Sequence, residues 1–445
     1  MVGRLAAVLA ALGLAACQGA PPAAADPHPP KEISVQPLPA APFFGGASIA
    51  LAARLAWDDP SGLRATWAAP ALPSGLTFGR PPPPPQRREV LVASTPTGVA
   101  LVNDDREVIA LDASGAIAAR FELAAPKAAS PTIIDIVSDG DGGFVTVEQV
   151  AAAGLQLTRR TAAGAAVWTI TTPDRTAPAR LIATGKTLTL VARGPTTALI
   201  RVDLQSGAQT PVSLDAQLAG LPILTRDGRL LALGRQKEGD ERLLLISPYD
   251  GRIEPGPQPP ARHLALSGLL GLWPDGSLVG QAGATIARFD ANGRCLEETR
   301  IFNLVPGAAD DEVYANVQSA LRGQPSAGLL AAKAGGPFGA PFVPDFSEAL
   351  LAQHDLRNAY LIGVTASKHL VFQRFTNDHQ TVRVTYDPVA DAVVQAEVQP
   401  PDLEQRANRA QPASTWAMNR AGALFIPVLG PDAFRLYRLA PAQAR

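Results

Sequence analysis

The sequence predicts an all-β chain built as a β-propeller of seven blades, or eight if residues 303–357 hide a degenerate one. Three observations predict it. From residue 89 the chain falls into short apolar runs bounded by Gly, Asn, Asp or Pro; an Asp/Gly turn returns at a regular interval; and the last unit is one strand short.

The first unit, EVLVASTPTGVALVNDDREVIALDASGAIAARFEL, reads as strands at 89–95, 98–103, 107–112 and 116–123. Each is rich in Val, Ile, Leu or Ala and ends at turn residues. The third strand runs into Leu-Asp-Ala-Ser-Gly, a tight turn whose glycine can take a positive φ. The same turn recurs as TAAG (161–164), DLQSG (203–207), PYDG (248–251) and DANG (290–293). Its glycines, 115, 164, 207, 251 and 293, are therefore 42–49 residues apart. That period, with four strands per unit, is the signature of propeller blades. Blades are expected at 89–123, 132–172, 179–214, 221–256, 264–302, 358–399 and 414–439. The last of these has three strands, and a ring must close. The missing outer strand is expected from the N-terminal side, at 47–56 or 63–68.

Between the fifth and sixth expected blades lies an insertion, 303–357. In GAADDEVYANVQSALRGQ, Val313, Val317 and Leu321 stand at i, i+4 and i+8 behind Asp310 and Asp311. This predicts a helix with an acidic first turn. PDFSEALLAQ predicts a second short helix, with the loop GGPFGAPFVP between them. Long excursions from a compact scaffold often carry function. Tyr314, Phe338, Phe342, Phe346 and His354 are its candidate binding residues.

The N-terminus reads MVGRLAAVLAALGLAAC. Arg4 precedes an uncharged run, Leu5 to Ala16, that suits a signal peptide and falls short of the ~20 apolar residues of a membrane-spanning helix. Leu14-Ala15-Ala16-Cys17 resembles the lipobox of bacterial lipoproteins. The resemblance implies a signal peptide at 1–16 and acylation of Cys17, so that membrane lipid is the first partner. Gln18 follows where Asp would favour inner-membrane retention, which implies an outer-membrane address facing the periplasm, or the cell surface. Residues 17–46, rich in Pro and Ala, read as a tether ahead of a propeller domain at 47–445. With Cys17 acylated, Cys295 has no disulfide partner in the chain, and it reads as a small buried hydrophobe.

Hydrophobic residues make up 47% of the 445 and charged residues 18%, enough for a large core. Basic residues number 39 and acidic residues 40 with no basic block, which argues against a nucleic-acid partner. No G-x-S-x-G nucleophile motif occurs, and His28, His263, His354, His369 and His379 show no zinc spacing. Asp135, Asp139 and Asp141 in DIVSDGDGGF read as a hairpin turn rather than a calcium loop. No metal or cofactor is expected. Asp135, Glu148 and Asp227 are the carboxylates whose position could bring them to a central channel.

The repeated Asp/Gly turns resemble those of quinoprotein-like and NHL/WD40-like propellers, and RRTAAGAAVWTI (159–170) resembles a quinoprotein-type repeat. In that family the tryptophan docks one blade on the next, so Trp168 is expected to do so. The places after Gly115, Gly207, Gly251 and Gly293 carry no Trp. A lipid-anchored propeller of this size is also similar in layout to the lipoprotein subunit of the outer-membrane β-barrel assembly machine, a scaffold without catalytic activity. These readings lead to a binding or scaffold role, with a protein partner at the rim around 303–357. The alternatives are a propeller enzyme (hydrolase, lyase or oxidoreductase) and a small-ligand sensor, either with its site at the central channel.

Overall fold

The structure, a computed structural model, describes residues 47–441 with gaps, the longest at 69–85, 258–267, 338–358 and 400–415. All regular elements among the described residues are strands. They form seven antiparallel sheets of four or more strands and one short ribbon, Trp67–Ala68 with Gln86–Arg87.

Four sheets, at 91–122, 132–172, 176–212 and 217–255, are meanders of consecutive strands. In the last of them the first strand is split into Gln217–Leu218 and Ile223–Leu224, both paired with Leu230–Arg235. The sheet starting at 268 has six strands. A closing sheet joins Ala417–Met418, Leu424–Leu429 and Ala433–Ala440 to the N-terminal strand Ser48–Ala56. That strand pairs antiparallel with Ala433–Ala440, Ile49 opposite Leu439 and Leu55 opposite Phe434. Tyr360–Val364, Leu370–Phe375, Thr381–Asp387 and Ala392–Gln399 form the seventh, here called the side sheet.

The shared cores show how the sheets are arranged. Phe121 and Val108 pack with Ile136 and Phe144, joining sheet 91–122 to 132–172. Val147 and Leu157 pack with Leu181 and Leu190, joining 132–172 to 176–212. Leu199 packs with Leu230 and Leu244, and Leu231 with Phe289, which brings in 217–255 and 268–306. Trp273 and Ile286 then pack directly with Met418 and Tyr437 of the closing sheet. Phe425 and Phe434 meet Leu101 and Ile109, completing the circle. Six sheets thus close a ring. The seven expected units are all present as sheets, but the one at 358–399 stands beside the ring. Its core, with Leu361, Phe372, Val384 and Tyr386, is shared with Val305 and Tyr314.

The strands between ring and side sheet correct the helix expected near 309–322. Cys295–Pro306 pairs with Thr285–Phe289 through its first half and with Glu312–Gln318 through its second, and Ala327–Lys333 follows. Residues i and i+4 lie on one face of a helix and equally on one face of a strand. Val313 and Val317 therefore fit both, and β-branched Val beside Tyr314 favours the strand. The strand period also divides the contacts. Leu304, Val313 and Ala315 enter the core of the closing sheet, whereas Val305 and Tyr314 face the side sheet. The second expected helix, 344–353, lies outside the described residues.

The recurring Asp/Gly turn joins neighbouring blades. In sheet 91–122, Asp112 Oδ1 accepts the amides of Ser114 and Ala116. This is the local logic of an Asx turn. The turn glycine then presses on the outer strand of the preceding sheet. Gly115 lies against the Ala52 backbone, Gly164 against the Phe121 ring, Gly207 against Trp168 and Gly251 against Ser213. At Gly164 φ is +84°, and an added Cβ would sit 2.7 Å from Phe121 Cδ2. Gly140 has the same φ with nothing within 4 Å. Gly140→Ala should therefore cost about 1 kcal/mol for the left-handed backbone alone. Gly164→Ala should cost clearly more, because Phe121 must also move. Urea unfolding of the two variants checks this, and equal losses would mean that the contact carries no weight.

Candidate functional site

The ring surrounds a cavity of ≈ 210 Å³ at one channel mouth. Its lining comes from all six ring sheets, at the C-terminal ends of their innermost strands. Thr95 and Val137 come from the first two, Arg180 to Ala183 from the third, and Pro222 to Arg226 from the fourth. Leu270 to Leu272 and Met418 to Arg420 complete it. Most of the wall is apolar. Among the described residues its charged groups are Arg180, Arg226 and Arg420, with no carboxylate or histidine in the lining.

Each arginine is placed by the turn or strand that carries it. Arg180, on Thr176–Thr184, donates to the Pro222 carbonyl at 3.2 Å. Arg226 sits in the turn Thr225-Arg226-Asp227-Gly228 and donates to the Trp273 carbonyl at 3.3 Å and to that of Pro274. Arg420 occupies the corresponding turn of the closing sheet, Asn419-Arg420-Ala421-Gly422. There Asn419 Oδ1 holds the Ala423 amide, and Arg420 itself is exposed. A guanidinium has five N–H donors, so one or two carbonyl bonds leave most of them available.

The three candidate channel carboxylates separate. Asp135 lies behind the wall, where Oδ2 accepts the Leu181 amide at 2.8 Å and Oδ1 that of Ile136 at 2.9 Å. Burial raises its pKa above the usual carboxylate value, against the opposing pull of Arg180 and the two amides. Glu148 is neither in the channel nor in solvent. It is 4% exposed within its blade, with Arg160 at 3.5 Å and the Thr146 hydroxyl at 3.4 Å. Asp227 turns back from the cavity onto the Thr225 hydroxyl and Arg229, whose Nε is 2.7 Å away; these bonds lower its pKa.

The other sequence candidates fall elsewhere. Tyr314 packs against the side sheet, and burial raises its phenol pKa. Phe338, Phe342, Phe346, His354 and Cys17 lie outside the described residues. Asp139 caps its hairpin, accepting the amides of Asp141 and Gly143 and pairing with Arg159 at 2.9 Å. Trp168 bridges two blades, with Nε1 donating to the Leu204 carbonyl at 2.9 Å. The arginines escaped the sequence reading, which followed the turns after the third strands. The signal lay in the other set of turns, where TRDG and NRAG place an arginine two residues before glycine.

No protein-family model matches the chain, and no curated protein matches it. Among solved structures it is similar to the WD40 domain of SCAP from fission yeast, at 9% identity over 80% of this chain and 95% of that one, TM-score 0.37. It is also similar to BamB from Moraxella catarrhalis, at 14% identity over 69% of this chain and 82% of that one, TM-score 0.28. A third is YCF48 bound to D1 peptide, at 14% identity over 64% of this chain and 88% of that one, TM-score 0.33. At these identities and TM-scores nothing is carried over from them, and fold, channel and rim are read from this chain's own residues.

Asp135 has a definite pH signature. Folded, it holds its proton more tightly than unfolded, so wild-type stability should fall as pH rises from the ordinary carboxylate range through the raised value. Asp135→Asn removes that part of the slope. Urea unfolding from about pH 4 upward should show the variant gaining on wild type until the raised value is passed and then running parallel to it. A constant offset throughout would contradict a raised value.

Proposed function

We propose that the protein is an exported lipoprotein, anchored through Cys17 at the outer membrane facing the periplasm or at the cell surface, whose propeller binds a protein partner. The Leu14-Ala15-Ala16-Cys17 sequence and Gln18 support the anchor and the address. An uncovered apolar strip on the side sheet supports the partner.

Within the ring, each of four outer strands is met by the glycine turn of the following blade. The side sheet lies outside the ring, and among the described residues no such turn meets its outer strand. On its core face Val398 stands opposite Val382 and Ala396 opposite Val384. Val382 and Val384 are buried, whereas Val398 is 64% exposed. Val394 beside them is 55% exposed, and Val389 in the preceding turn is 94% exposed. The apolar face of the sheet therefore runs past its cover to an open edge strand. Such an edge can accept an extended segment of another chain, with backbone pairing for affinity and the apolar face for selectivity. The insertion contributes indirectly: its described strands carry the side sheet, and Tyr314 is part of that support.

Because 303–333 is structural, deleting it would unseat the side sheet. A double substitution, Val394→Glu with Val398→Glu, alters the strip alone. Crosslinking in membranes followed by mass spectrometry should find a dominant partner with wild type that is lost with the double variant, while thermal unfolding changes little. A partner captured equally well by both would place the interface elsewhere. Separately, Cys17→Ser should move the protein from the membrane to the soluble fraction; unchanged membrane retention would refute the lipid anchor.

A further inference from the structure

The channel mouth combines features that the scaffold reading does not use. Three arginines from three different blades line one cavity, with no carboxylate in its wall among the described residues. Clustered guanidinium groups repel one another, and a closed core would bring carboxylates among them. The nearest carboxylates are engaged elsewhere: Asp135 with backbone amides behind the wall, Asp227 with Thr225 and Arg229. Arg420 is exposed and has no ion-pair partner among the described residues. Two of the three guanidinium groups are pinned by carbonyls of the next blade, which fixes them in place; Arg180 also faces the Asp135 carboxylate, whereas Arg226 is met here by carbonyls alone. A site of this kind binds an oxyanion at low ordering cost.

Val137, Ile182, Ile223, Leu270, Leu272 and Met418 supply the rest of the wall. Val137, Ile182, Ile223 and Met418 are nearly closed off in the blade cores and Leu270 and Leu272 are half-buried, so an inorganic anion would make no use of the apolar surface that they leave open. A ligand with an anionic head and a short apolar body would meet both halves of the site. Carboxylate suits the head, since the planar guanidinium fork matches it in two parallel hydrogen bonds.

We propose that the channel mouth binds a small organic carboxylate, its head held by Arg226 and Arg420 with Arg180 beside them, its apolar body against the aliphatic wall. The site is independent of the side-sheet surface, so either assignment can fail alone.

Hexanoate is the probe, with 1-hexanol and inorganic phosphate as controls, titrated into the folded protein by calorimetry. Saturable one-to-one binding of hexanoate is expected, with hexanol and phosphate both weaker. Arg420→Gln and Arg226→Gln should each weaken hexanoate binding about tenfold or more, as loss of a charge-assisted hydrogen bond implies. Arg420 makes no bond that the fold depends on, so its variant keeps the test clear of misfolding. Asp135→Asn retains an oxygen for the Leu181 amide and removes the negative charge nearest Arg180, so it should tighten binding several-fold. No saturable hexanoate binding at millimolar concentration would overturn the proposal. So would hexanol or phosphate binding as tightly as hexanoate, or affinity unchanged by both arginine substitutions. Val394→Glu with Val398→Glu should leave hexanoate binding untouched.

Discussion

Close approach between neighbouring blades is the constraint on which the rest of this structure depends. A sheet of four strands buries one face only when another sheet lies against it, and here that distance is set at the periphery by glycine. Gly115, Gly164, Gly207 and Gly251 each bring a turn onto the outer strand of the blade before. Where the contact partner is Phe121 or Trp168, the aromatic side chain fills the space that a Cβ would have taken. Inward from these contacts lie the shared cores, in which each buried Leu, Val or Phe contributes about 1.5–3 kcal/mol. Separating two blades at the rim would expose a whole cluster at once, so a few missing side chains govern the burial of many large ones.

That dependence explains what the sequence could and could not reveal. The Asp/Gly turns are local devices: the aspartate caps its own turn, the glycine supplies the positive φ, and both are visible as residue types at a fixed period. Strands 107–111, 154–160 and 198–203 follow from them. The place of a sheet in the ring is a long-range property. Residues 360–399 carry the same local signature, with Asp387 accepting the amides of Val389 and Ala390, yet Val305 and Tyr314 claim their core. Near 313–317 the pattern itself was ambiguous, and an unpaired strand edge at 301–306 decided in favour of β structure. The closing strand had two candidates. Ile49 and Leu55, both buried, let 48–56 supply apolar groups to the cores on both faces of the closing sheet, while Trp67–Ala68 forms its own ribbon. The channel arginines were hidden for another reason: they converge only when turns from separate blades are set side by side.

The side sheet and the channel present opposite chemistry on one body. The sheet ends in Val, Ala and Val on an edge strand, a surface suited to another polypeptide. The channel is concave and cationic over aliphatic walls, with room only for a small molecule. A strand-pairing partner would engage the flank, leaving the mouth of the ring open, so both surfaces could be occupied together. The strands at 301–333 lie between them, contributing Leu304 and Val313 to the ring side and Val305 and Tyr314 to the flank.

The pairing of Ser48–Ala56 with Ala433–Ala440 has a kinetic consequence. Ile49 meets Leu439 across nearly the whole described chain, so this contact has a very high sequence separation. Contacts of that kind are slow to form, because the entropy of closing the loop is lost before the contact returns anything. During synthesis the strand at 48–56 emerges long before its partner at 433–440. Until then Ile49 and Leu55 have no face to bury against, and the outer strand on which the glycine turn at 115 presses is not yet anchored in its sheet. The intermediate blades can assemble from neighbour to neighbour, but the circle remains an open arc until the final strand arrives. Maturation of this protein is thus timed by its C-terminal hairpin, and any factor that shelters the early strand would act in that interval.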